Sequence, residues 1–92
     1  MSTLYLIQSD DPICLDDILD PEQNHHIALL QEGVYLGIGS GLMSINYSCL
    51  FALAEDVYAR GLITLINPKI TLITYPNFVN VTQQYEKIVS CY

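Results

Sequence analysis

No lysine or arginine occurs before Arg60, so the chain has no fixed positive charge N-terminal to that residue. Only Arg60, Lys69 and Lys87 oppose ten acidic residues, and the formal net charge is −7 over 92 residues. Nucleic-acid affinity comes from cations that displace counterions from phosphates, so direct binding to RNA or DNA is not expected. The same sign disfavours an anionic membrane surface. Long apolar runs are also missing: no stretch reaches the ~18 residues a spanning helix needs. The segment Met1 to Ile7 lacks a basic flank and is cut short by Asp10 and Asp11, so it does not read as a signal peptide. Tryptophan is absent, and the three cysteines, Cys14, Cys49 and Cys91, are widely spaced with no CxxC pair. That spacing matches no metal-ligand pattern and argues against a disulfide framework. A reducing cytoplasm is the expected compartment.

What is present is apolar surface. The composition is 51% hydrophobic and 14% charged, too apolar for a disordered segment. A small chain has the most surface to keep wet, so this excess points to cover by another subunit. The length is that of one domain, residues 1–92.

Short apolar runs alternate with helical signals. Thr3 to Gln8 reads as a first strand and Ile13 to Leu19 as a brief helix, ended by Asp20-Pro21. Ile27 to Leu30 reads as a second strand. Val34 to Ile45 reads as a helix weakened by Gly37, Gly39 and Gly41. Cys49 to Ala54 is a third strand, and Glu55 to Gly61 a compact helix that Gly61 ends. Ile70 to Thr74 is a fourth strand. Pro76 opens a last helix running to Ser90, with Val79, Thr82, Tyr85 and Val89 on one stripe. The pattern predicts a small three-layer α/β/α domain around a four-stranded, mainly parallel sheet. Functional groups gather at the carboxyl ends of such strands, here Ser9 to Pro12, Gln31 to Gly33, Glu55-Asp56 and Tyr75 to Asn77.

Three blocks are more specific: ALLQEGVY (Ala28 to Tyr35), FALAEDVYARGL (Phe51 to Leu62) and ITLITYPNFVNVT (Ile70 to Thr82). They resemble, in the same order, the blocks of the TusB/DsrH family. The likeness covers nearly the whole chain, and its Ala-Arg-Gly turn is the most specific part. The resemblance implies a sulfur-relay subunit without a catalytic centre or cofactor of its own. It implies a heterohexamer, two copies each, with TusC-like and TusD-like subunits. That complex would take persulfide sulfur from a TusA-like donor and pass it through a TusE-like acceptor for 2-thiolation of tRNA wobble uridine. The main sulfur-carrying cysteine then lies on another subunit. Sulfur oxidation, the setting of DsrH, stays open as the pathway. Two alternatives also remain: a persulfide carrier using Cys14, and a stand-alone homo-oligomeric binding protein.

Each candidate residue also has a plainer reading. Cys14 sits near a helix start, which favours thiolate, but Asp10, Asp11, Asp16 and Asp17 raise a thiol pKa. Cys49 reads as a small core residue, and Cys91 has no activating neighbour. His25-His26 reads as a solvated loop, because adjacent histidines diverge and no third ligand matches. GIGSG (Gly37 to Gly41) lacks the full phosphate-loop pattern and a following lysine. Glu32, Gly33, Asp56, Arg60 and Gly61 match the family blocks as a docking edge; their plainer roles are a strand exit, a surface ion pair and a helix end. Tyr75, Phe78 and Val79 read as core or subunit contacts. Tyr92 takes the place of the C-terminal aromatic of family members, which the resemblance offers as a docking group; its plainer reading is a disordered tail.

Overall fold

A computed structural model describes residues 3–9, 25–38 and 47–91. Five strands pair in parallel in the order β4-β3-β2-β1-β5: β1 (Thr3–Ile7), β2 (His25–Leu29), β3 (Tyr47–Leu53), β4 (Thr71–Ile73) and β5 (Lys87–Cys91). The first four strands step steadily toward one edge, and the chain then returns to lay β5 on the other side of β1. Right-handed crossovers place the β3–β4 connection on one face and the β4–β5 connection on the opposite face. The α/β class and the parallel sheet agree with the sequence expectation.

Side-chain alternation sorts the two faces. On the first face Ile7, Ile27, Leu29, Leu50 and Ala52 join Val34 of a 3-10 helix (Gln31–Gly37) and Val57 of helix α1 (Ala54–Ala59). Leu62 and Ile70 complete this core. Each fully buried Leu, Ile or Val contributes roughly 1.5–3 kcal/mol, so this face supplies most of the stability. The second face carries Leu4, His26, Ala28, Cys49, Phe51 and Leu53, and the handedness of the β4–β5 crossover puts helix α2 (Tyr75–Thr82) on that side. α2 buries no residue fully.

Three expectations are corrected. The helix expected from Val34 is a 3-10 helix that already begins at Gln31. The last helix stops at Thr82, not Ser90, and Lys87–Cys91 is a fifth strand where four were expected. The apolar spacing fits a helix, but the backbone of β1 has a second edge to satisfy, and β5 pairs with it from Thr3↔Lys87 to Ile7↔Cys91. His25 and His26 are the first residues of β2 and not a solvated loop; His25 is buried, edge-on to the Tyr5 ring. The expected Ile13–Leu19 helix lies outside the described residues.

Candidate functional site

Parallel pairing brings the carboxyl ends of β1 to β4 to one edge, where short polar links join three segments distant in sequence. Leaving β2, the chain turns at Gln31, whose φ of 51° is left-handed and costly for a residue with a side chain. Asp56 holds that turn: its Oδ2 accepts the Gln31 backbone N–H at 2.7 Å. Its Oδ1 accepts from Arg60 at 3.5 Å, one helical turn on, and Arg60 reaches back to Glu32 Oε1 at 3.3 Å. These ion pairs sit near water and are long, so each contributes about 0.2–1 kcal/mol. The bond to a backbone N–H in a strained turn matters more, because it fixes where the 3-10 helix starts.

Gly33 is required here for space. A Cβ on it would lie 1.9 Å from the Ile7 carbonyl oxygen, so the 3-10 helix packs directly on the end of β1. The expectation of a strand exit is thus refined: the left-handed residue is Gln31, and Gly33 permits close approach. Gly61 behaves as expected, with φ 67°. The Leu62 N–H donates to Val57 O at 3.0 Å and the Gly61 N–H to Tyr58 O at 3.1 Å, a Schellman end for α1.

Beside this network Glu55 uses both carboxylate oxygens, at 2.9 and 3.1 Å, to accept the backbone N–H of Tyr75. An anion at a helix start is favourable, and this one fastens α2 to the first turn of α1. Between them lies a shallow, mainly apolar depression of about 580 Å³ lined by Ala54, Glu55, Tyr58, Ala59 and Thr74. Tyr58 and Tyr75 stand 63% and 58% exposed around it, with Val79 also exposed. The Tyr75 and Phe78 rings meet at 6.3 Å. Exposed tyrosines on a fixed backbone are suited to contact surfaces, since little side-chain entropy is lost on binding. The carboxylates and Arg60 hold backbone and one another.

Thus Glu32, Gly33, Asp56, Arg60 and Gly61 occupy one edge, with Tyr75 joined to it through Glu55. Phe78 is half-buried and Tyr75 exposed; neither belongs to the main core. Cys14 and Tyr92 lie outside the described residues, as do Gly39 and Gly41. Cys49 is half-buried on the second face and outside the core cluster, contrary to the core expectation. Its neighbour on the sheet is His26, whose Nδ1 is 2.8 Å from the Tyr85 hydroxyl. Burial first, then the nearby Cys49 sulfur, push the Tyr85 pKa up. Sequence reasoning missed Gln31 as the strained residue and Tyr58 as an exposed ring beside the depression; its place in the specific Ala-Arg-Gly block was the available signal for Tyr58.

A family model described as DsrH like protein matches residues 3–88. The chain is 40% identical over 65 residues to Protein TusB of Photorhabdus laumondii subsp. laumondii, covering 66% of this chain and 68% of that one. It is 38% identical, with the same coverage, to Protein TusB of Yersinia pestis and of Yersinia pseudotuberculosis. The chain belongs to the DsrH-like family.

Proposed function

We propose that this DsrH-like chain is an accessory subunit of a cytoplasmic sulfur-relay complex, contributing contact surface while a partner carries the sulfur. The observation that supports this reading most is α2. It buries no residue fully, exposes Tyr75 and Val79, and is nevertheless held at its start by Glu55. An apolar helix fixed in place but left uncovered suits docking by a second subunit.

In finer detail, the complex is of the TusBCD type, with two copies each of this chain, a TusC-like and a TusD-like subunit, serving tRNA wobble-uridine thiolation. The chain's part is to shape the surface on which the TusD-like subunit meets its TusA-like donor and TusE-like acceptor. Co-expression with both partner subunits should give one co-eluting assembly. Replacing Tyr75 by Arg together with Val79 by Glu should weaken that assembly at least tenfold, since two desolvated anchors become charges. A chain that purifies as a stable monomer and never joins the partners contradicts the proposal.

A further inference from the structure

We infer that the depression between α1 and α2 seats an arginine side chain of the subunit that covers α2, with Glu55 as its counter-charge. The inference deepens the proposed function by naming the chemistry of the partner, and rests on that reading for the partner's existence. Ala54, Ala59 and Thr74 contribute small side chains to the lining, Glu55 an exposed carboxylate and Tyr58 an exposed ring. Such a lining accepts an aliphatic stem that ends in a charge.

Charge is divided along the strand axis. Parallel pairing gathers Glu32, Glu55, Asp56 and Arg60 at the carboxyl ends of β2 and β3. Lys69 and Lys87, with Glu86, sit instead at the amino ends of β4 and β5. Among the described residues the carboxyl edge therefore sets three carboxylates against one guanidinium, which Glu32 and Asp56 already hold. Among the same residues no cation pairs with Glu55. Each of its oxygens keeps a lone pair beyond the Tyr75 N–H it accepts. The start of α2 opposes a cation only weakly, because that N–H is bonded to Glu55 itself.

An arginine suits this setting better than a lysine. Its planar fork reaches both oxygens of one carboxylate, and it stacks on an aromatic face such as that of Tyr58. Other occupants fit worse. A second copy docked about a two-fold axis would set the acidic edge against itself, and a nucleic acid would bring phosphates to it.

The test titrates the full chain with a blocked leucyl-arginine dipeptide and with its citrulline counterpart, which keeps the shape and loses the charge. Amide NMR shifts report binding. The arginine peptide should shift Ala54, Glu55, Tyr58, Ala59 and Thr74 saturably, and the citrulline peptide should bind about threefold more weakly. Glu55→Gln keeps an oxygen for the Tyr75 N–H but removes the charge; it should abolish that difference while Tyr75 to Thr82 stay helical. Equal binding of the two peptides by the native chain, or shifts confined to other residues, overturns the inference. In the assembly co-expressed with both partner subunits, Glu55→Gln should weaken association roughly tenfold. An assembly that forms with unchanged affinity overturns the inference and leaves the proposed function standing. If the native chain forms no assembly, the proposed function fails, and the peptide titration still decides the chemistry of the depression.

Discussion

Gly33 and Tyr85 show how far a single side chain decides this structure. A methyl group on Gly33 would overlap the Ile7 carbonyl oxygen, and backbone on backbone has no flexible end that can yield. Gly33→Ala should therefore cost about 3 kcal/mol or more, read as a lower urea midpoint; a change under about 0.5 kcal/mol would contradict the close approach. Tyr85 makes a prediction about pH. Its folded pKa lies above the ordinary 10.0, chiefly through burial. The stabilisation it brings is fully present below the unfolded value and is lost as pH rises through the folded one. Tyr85→Phe should flatten the decline in stability that sets in above about pH 10, because the titrating group is gone. An equally steep decline in the variant would contradict the assignment. Residue types revealed part of this scale. Asp56 and Arg60 were legible through their spacing of four, and Gly61 through its place after a helix. The turn at Gln31 was not, because nothing in a glutamine signals a left-handed backbone that a distant carboxylate holds.

Elements differ in how much of them the chain states locally. β1 to β4 were legible because each is a short apolar run bounded by turn residues, as parallel strands covered on both faces are, although β4 at the sheet edge buries none of its residues. β5 was not: Val79, Thr82, Tyr85 and Val89 recur at helical spacing, and β5 is chosen by the free edge of β1, a tertiary fact. Among the described residues α2 is the least anchored helix, with no fully buried residue, so its start depends on Glu55. Glu55→Ala leaves the Tyr75 N–H without its acceptor and removes an anion from the helix start. It should weaken α2 by about 1 kcal/mol while the sheet is unchanged. Backbone chemical shifts of Tyr75 to Thr82 should move toward coil in the variant. Shifts that stay helical would show that Glu55 does not hold the helix.

At the scale of the whole molecule, stabilising groups and contact groups are separated. One face of the sheet is closed by the 3-10 helix and α1 over Val34, Val57 and the core strands. At the carboxyl edge and along α2, Tyr58, Tyr75 and Val79 stay exposed on backbone that Asp56 and Glu55 hold in place. The sequence announced this division through an apolar content too high for so few residues, and through its resemblance to a family of complex-forming subunits. It did not announce the place. The links Gln31–Asp56, Glu32–Arg60 and Glu55–Tyr75 join residues brought near only by parallel pairing, and no local pattern encodes them. The measurement that tests the central claim most directly is amide hydrogen exchange on this chain, free and mixed with the TusC-like and TusD-like subunits proposed as its partners. The account predicts new protection concentrated at Ala54 to Ala59 and Tyr75 to Thr82. Binding that leaves both segments exchanging as in the free chain would contradict it.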